Sequence, residues 1–322
     1  MTKRALVIGG SGFVGGHLVP ALLHDQFHVS VLNRGNKVTV GAEQLTADRT
    51  DGDQLFQIAQ QVPGFDVVID TSSYNLQSTK TAWDAFSGVT QRWIHLSSAA
   101  AYKETPGRCP AEGDPIGGAA IWADYGFEKA AADAFLTDQA EQLPVTIFRP
   151  PYLYGPGNDN DRESFIWARC LQGRPVIIPK NGETRIQFLH AEDLADIMVH
   201  ASASEARGAQ VFNVASEERM SLREWVNLVA TAAGFADPGI LAGDQADDYM
   251  PRQYFPFRDY PCCVDVQFLM KSFEWRPRYG LFDGFRQTFE TQDIQHLASK
   301  PLDSETEQTI LARIQSCDLT HL

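Results

Sequence analysis

Tyr125 and Lys129 stand four residues apart in "ADYGFEKAA", and the continuation "EKAAADAFL" is strongly helical, so both side chains share one helix face. An ammonium beside a phenol stabilises the phenolate and lowers a pKa that starts near ~10, which brings proton exchange within reach of neutral pH. A Tyr-x-x-x-Lys spacing alone is common on surface helices. Its weight here comes from position: the pair follows the strand-like run ending "HLSSAAAY", where Ser98 can hydrogen-bond the same substrate oxygen, and precedes the strand-like "VTIFRP".

A second group is suited to a phosphate. Gly9, Gly12 and Gly15 lie between "ALVI" and "HLVPALL", so the loop joins a first strand to its helix. Backbone without Cβ can approach a pyrophosphate there, and a helix N-terminus offers N–H donors and a positive dipole end. The expected contacts are Gly9, Ser11, Gly12, Phe13, Val14 and Gly15. At the end of the second strand, "VLNRG", dinucleotide-binding folds commonly place a carboxylate for the ribose 2′-OH. Asn33 stands there instead, followed by Arg34, which can pair with a 2′-phosphate. NADP(H) is therefore favoured over NAD(H), with Lys37 and the Ser11 hydroxyl as helpers. Asp48 in "LTADRTD" can accept from the adenine amino group, Thr71, Ser72 and Ser73 in "DTSS" lie near the cofactor's middle, and Pro150 completes the set with Tyr125 and Lys129.

These residues need a scaffold that delivers strand ends to one edge. The first half alternates short β-branched runs with helical patterns, from "RALVIGG" and "HLVPALLHDQ" through "HVSVLNR", "DVVIDTSS" and "RWIHLSS" to "PVTIFRP". That alternation predicts a parallel sheet covered on both faces, a doubly wound α/β fold of the Rossmann type. After "RPPYLYGPG" the rhythm breaks into loops, separate helices and the aromatic stretch "YMPRQYFPFRDYP", expected as a smaller α+β substrate lobe. The predicted division is a dinucleotide-binding domain over 1–150 plus about 184–204, and a lobe over 151–183 and 205–322. "FLHAEDLADIMVHAS" reads as a strand and helix returning to the main sheet.

The composition excludes several classes. A chain of 322 residues with 41 acidic against 27 basic residues, net charge −14, opposes a polyphosphate partner, so no nucleic acid is expected. No run is long enough to cross a bilayer, and "MTKR" leads into an apolar stretch too short for a signal region, so a cytoplasmic protein is expected. Cys109, Cys170, Cys262, Cys263 and Cys317 are an odd number without metal-ligand spacing, which suggests free thiols in a reducing compartment and no metal. The expected partner is a small-molecule substrate, and the expected assembly is a homodimer.

Taken together, the motifs resemble the extended short-chain dehydrogenase/reductase superfamily, the NAD-dependent epimerase/dehydratase group. The likeness spans GxxGxxG at Gly9–Gly15, Ser98, Tyr125 and Lys129, "RPPYLYGPG", "HAEDLA" and "WRP". It implies that Lys129 also holds the nicotinamide ribose, that Tyr125 is acid or base on a carbonyl or carbinol, and that Ser98 polarises its oxygen. Two departures concern substrate. Tyr152 and Ile186 stand where relatives acting on nucleotide sugars carry an Asn and a diphosphate-binding Arg; Arg185, one residue away, points to the opposite face if the segment is a strand. Ala99 and Ala100 replace the Asp-Glu pair of the dehydratases, which leaves redox or epimerase chemistry. A subgroup that includes the chloroplast stem-loop-binding proteins shares "VLNRG"-, "RPPYLYGP"- and "FPFRD"-like patterns, which keeps RNA binding or a regulatory role as the alternative. Tyr152, Arg185, His190 and Arg258 are the substrate candidates, with Tyr254 and Phe257 nearby, though aromatics such as those of "YFPFRDY" are more often lobe packing.

Overall fold

β1 (Arg4–Ile8), β2 (His28–Asn33), β4 (Val67–Asp70), β5 (Trp93–Leu96) and β6 (Val145–Arg149) are almost wholly buried apolar runs, as strands covered on both faces must be. In the computed structural model, which describes residues 2–302 and 304–319, they form a seven-stranded sheet with β3 (Glu43–Thr46) and the strand Ala209–Asn213. Every pairing in it is parallel, and the spatial order is Ala209–Asn213, β6, β5, β4, β1, β2, β3.

Alternate residues divide between two cores. Ala5, Val7, Val29, Val31, Val67 and Ile69 face α1 (Phe13–His24) and the helix Ala191–Ser202. Leu6, Ile8, Leu32, Val68, Trp93 and Ile147 face α2 (Gly52–Gln61), α3 (Leu76–Phe86) and α4 (Ala123–Gln139). The period-2 alternation thus survives inside strands that are apolar throughout.

This first unit runs to Leu153 and also takes Phe188–Glu217 and Cys262–Arg278. The division differs from the expected one at four places: residues 151–153, 205–217 and 262–278 belong to this unit and not to the lobe, and 184–187 belong to the second unit. Strand Ala209–Asn213 hydrogen-bonds to β6, and Trp275 donates its indole N–H to Asp196 at 3.1 Å, so 205–217 and 262–278 are fixed within the first unit.

The second unit comprises Tyr154–Gln187, Glu218–Pro261 and the chain from Tyr279. Helix Leu222–Ala232 starts at a capping box of Ser221 and Glu224, and Trp167 donates to the Val229 carbonyl at 3.0 Å. Phe255 and Phe257 are buried against Trp225, so these two rings of "YFPFRDY" are packing residues. Arg169 grips Glu307 at 3.2 and 2.7 Å.

Glu163, in the first turn of helix Glu163–Gln172, is 2% exposed, and burial pushes its carboxyl up to about 7. The unfolded chain releases this proton near 4.5 and the folded chain only near 7, so stability falls as pH rises through that window. Glu163→Gln carries no proton to lose. Urea unfolding of the variant should match the parent near pH 4 and exceed it by about 3 kcal/mol at pH 8. Parallel pH profiles for the two proteins would remove Glu163 as the cause.

Candidate active site

The glycine loop is shaped by close approach. A Cβ on Gly15 would lie 2.4 Å from both the Gly9 carbonyl oxygen and the Gly10 Cα, so only glycine lets α1 begin this close to the end of β1. The loop is tied down by Gly9 N–H to Leu32 O at 3.1 Å and Gly12 N–H to Gly9 O at 3.0 Å. No side chain caps α1 at Gly12, which leaves its N-terminal donors to a ligand phosphate. This cradle fits a dinucleotide pyrophosphate. Val14 is buried in the core and Phe13 packs edge-on to His17 at 5.6 Å, so only their backbone N–H groups could reach a phosphate there.

At the end of β2, the Asn33 side chain is occupied in closing its own turn. Its Oδ1 accepts from Gly35 N–H at 2.8 Å and its Nδ2 donates to Lys37 O at 3.1 Å. Arg34 is exposed. Asp48 accepts from the Thr50 N–H at 2.9 Å and hydroxyl at 2.7 Å, which, with Arg34 and Arg49 near it, hold the carboxyl low.

The sequence reading passed over Arg49, one residue beyond. Its guanidinium meets Asp70 in a two-pronged contact, 2.7 and 2.8 Å, and also donates to Ser72 Oγ and the Ser78 carbonyl. Arg49 thereby fixes the end of β4, where Thr71 N–H and hydroxyl both donate to Ile8 O at 3.0 Å. Its only sequence signal was a cation between two aspartates in "ADRTD".

Ser98 follows β5 and caps a short turn, accepting from Ala100 N–H at 3.2 Å, and Ala99 N–H donates to Pro150 O at 2.8 Å. The start of α4 comes hard against this turn: a Cβ on Gly126 would lie 2.8 Å from the Ala100 carbonyl oxygen. Residue 125 is thus delivered beside the Ser98 turn by its glycine neighbour. Tyr125 is 41% exposed, whereas Lys129, one turn on, is 5% exposed. The ammonium donates to Ser73 O at 2.6 Å and Leu96 O at 2.8 Å and lies 6.0 Å from the Tyr125 ring centroid. Burial brings its pKa down to about 8, against the pull of Asp70 and Asp133. The three expected catalytic residues therefore share one region of the first unit.

Behind them lies a polar chain absent from the sequence reading. Asp133, the next residue on the Lys129 face of α4, accepts from Arg149 Nε at 2.7 Å, both side chains being buried. Burial raises the Asp133 carboxyl despite that partner, and strips the proton from His95, whose pKa falls to about 3. Arg149 stacks 4.8 Å from the Tyr102 ring, and the Tyr102 hydroxyl donates to Asn213 Oδ1 at 2.7 Å.

The substrate candidates are spread over both units. Tyr152 is buried, its ring 5.8 Å from that of Phe188. His190 is 1% exposed and caps helix Ala191–Ser202, Nδ1 accepting from Glu192 N–H at 3.2 Å. Arg185 is exposed and pairs with Glu224 at 2.9 Å, while Ile186 is fully buried, as the one-residue offset requires. Arg258 is half-buried in the second unit.

The cysteine expectation is corrected. Cys109 and Cys263 form a disulfide across a sequence separation of 154, because the segment Cys262–Arg278 returns to the first unit beside the loop after β5. Spacing along the chain carried no trace of that return. Cys170 and Cys262 are thiols; the side chain of Cys317 lies outside the described residues. Cysteine usage thus no longer argues for a reducing compartment. Among the described residues no helix is long and apolar enough to cross a membrane.

A wholly parallel sheet, a glycine cradle at its first crossover and a Tyr-Lys pair beyond its fifth strand define a dinucleotide-binding α/β protein. The chain belongs to the NAD dependent epimerase/dehydratase family, whose model matches residues 5–215. The chloroplast stem-loop binding protein of 41 kDa b of Arabidopsis thaliana is 25% identical over 97% of this chain and 85% of its own. UDP-glucose 4-epimerase of Mycolicibacterium smegmatis is 25% identical over 89% of this chain and 97% of its own. Among solved structures, the UDP-glucose 4-epimerase of Thermus thermophilus in complex with NAD shares the fold with a TM-score of 0.73, at 22% identity over 92% of this chain and all of that one.

Proposed function

We propose that the protein is an NADP(H)-linked oxidoreductase or epimerase acting at a hydroxyl or carbonyl carbon of a small, sugar-like molecule. The observation that carries this reading is Lys129: a buried ammonium on two carbonyls, one helical turn from an accessible phenol, beside the Ser98 turn. The nicotinamide, when bound, supplies or accepts the hydride. Tyr125 gives or takes the proton on the substrate oxygen, Ser98 donates to that oxygen, and the Lys129 ammonium favours the phenolate. The names of the relatives supply the sugar class, including a 2'-dehydrokanamycin reductase of Streptomyces kanamyceticus that is 27% identical over 77% of this chain. A screen following NADPH oxidation and NADP reduction over panels of aldehydes, ketones, alcohols and sugars tests the reading. Absence of any turnover across those panels counts against it.

The cofactor preference rests on the end of β2. Asn33 presents no carboxylate to repel a 2′-phosphate, and exposed Arg34 offers a charge-assisted contact. Such hydrogen bonds contribute roughly 1.5–3 kcal/mol and about 1.4 kcal/mol is tenfold, so NADPH should bind at least about tenfold tighter than NADH. Arg34→Ala should erase most of the difference and leave NADH affinity little changed. Fluorescence titration of both nucleotides decides it; equal affinities in the parent protein return the assignment to NAD.

RNA binding is a second reading, favoured by the name of the Arabidopsis relative and opposed by the net charge of −14. Stem-loop binding measured at two salt concentrations separates the two, because phosphate-driven affinity falls steeply with salt.

A further inference from the structure

We propose that the Cys109–Cys263 bridge is a thiol–disulfide exchange site, opened by a dithiol reductant, whose state sets the order of the loop between Ser98 and Tyr125. The inference is independent of which substrate the protein takes. Residues 103–118 leave and rejoin the active-site region through a well-held base. There Lys103 N–H donates to Pro115 O, Tyr102 bridges Ile116, and Gly117 and Gly118 both donate to Ala101 O. The outer part, residues 104–114, is held differently. Its internal ties are short-range: Arg108 pairs with Asp114 on the solvent side, a contact of the kind that adds little order by itself, Ala111 N–H donates to Asp114 Oδ2 at 2.8 Å, Asp114 N–H to Ala111 O at 3.0 Å, and Thr105 Oγ1 to Arg108 O at 3.2 Å.

What ties it to the rest of the first unit comes from far along the chain. Pro110 O accepts from Asp265 N–H at 2.9 Å and from Asn213 Nδ2 at 3.0 Å, and Glu112 accepts from Asn213 N–H at 2.9 Å. Asn213 Nδ2 also donates to Asp265 O at 3.0 Å. The disulfide sits beside this clasp, one residue before Pro110 and two before Asp265, and covalently locks the two strands of chain that the hydrogen bonds join. The clasp reaches the catalytic helix through consecutive contacts already described: Asn213 to Tyr102, Tyr102 to Arg149, Arg149 to Asp133, one turn beyond Lys129. Both bridged cysteines are half-buried, not sealed in a core, so a reductant can reach the sulfurs.

The exchange balances with a dithiol as sole co-reactant. Its thiolate attacks one sulfur of the bridge, forming a mixed disulfide and expelling the other sulfur as a thiolate that takes up a proton. Its second thiol then displaces the remaining protein sulfur. The protein bridge is reduced to two thiols, and the dithiol is oxidised to a disulfide by the same two electrons. With the bridge open, the outer loop keeps only hydrogen bonds and a surface ion pair, and it opens locally more often.

The test compares the folded protein before and after dithiothreitol. Alkylation with peptide mapping should label Cys109 and Cys263 only after reduction. Hydrogen exchange over residues 104–114 should then rise by roughly tenfold, the increase that about 1.4 kcal/mol of local stability gives, with β5 and the body of α4 unchanged. Cys109→Ser should show the fast exchange without reductant and no response to it, and Cys263→Ser repeats the test from the other sulfur. NADPH titration is expected to be the same in both states, so loss of the loop effect and loss of cofactor binding are read separately. A bridge that resists dithiothreitol in the folded protein, or a loop whose exchange is the same open and closed, overturns the proposal.

Discussion

Phenylalanine at position 125 should leave a folded protein that binds dinucleotide and turns over its substrate some 10²–10⁴-fold more slowly. The ring stays, and with 41% of Tyr125 exposed the change opens no cavity. What goes is the oxygen that exchanges the proton. The companion change, Lys129→Met, should be worse in kind: the carbonyls of Ser73 and Leu96 lose a donor, the phenolate loses its ammonium, and cofactor affinity and rate fall together. Initial rates on a substrate from the screen, with nucleotide titrations alongside, read both effects. A Tyr125→Phe protein that retained most of its turnover would remove the tyrosine from the chemistry, and a Lys129→Met protein altered only in stability would make the lysine a packing residue.

Arg149→Met should cost about 3–5 kcal/mol of stability, the loss usual when one partner of a buried ion pair is deleted. Arg149 and Asp133 are 3% and 0% exposed, and the carboxylate left behind has no route to water. The second substitution distinguishes charge from packing. Asp133→Asn combined with Arg149→Met leaves no buried unpaired charge, and should recover a large part of the loss, giving a coupling energy of about 1–3 kcal/mol in the cycle. Chemical denaturation of the four proteins supplies it. Additive losses would mean that Arg149 matters through its stack on Tyr102 and not through Asp133.

What could be read in the sequence was local. The strand-to-helix rhythm and Gly9, Gly12 and Gly15 are written in neighbouring residues, and so is the Tyr125–Lys129 spacing, because a helix turn converts four positions into one face. The Arg185–Ile186 reading held for the same reason: strand alternation alone puts one in solvent and the other in the core. Features that depend on the exact start of an element or on a remote partner were passed over. The cap that His190 forms was not foreseen, because it depends on where the helix begins, one residue later. Arg49 is recognisable only once Asp70, twenty-one residues on, is known to end β4. The disulfide lies further from view still, since nothing near Cys109 foretells a chain that leaves for the second unit and comes back.

That return has a bearing on biosynthesis. The first unit is assembled from three stretches, the last of which ends at Arg278, so a nascent chain released up to Leu153 holds six of the seven strands but neither the edge strand nor the helix Ala191–Ser202. Leu18, Val19 and Leu22 of α1, whose core includes Leu194, Ile197 and Met198 of that helix, would then face water on the ribosome. At about 5–20 residues per second the wait for Arg278 lasts roughly 6–25 s, long enough for an unfinished sheet to meet another. The nucleotide cradle, complete by Gly15 in sequence, is among the last features of the molecule to acquire a finished support.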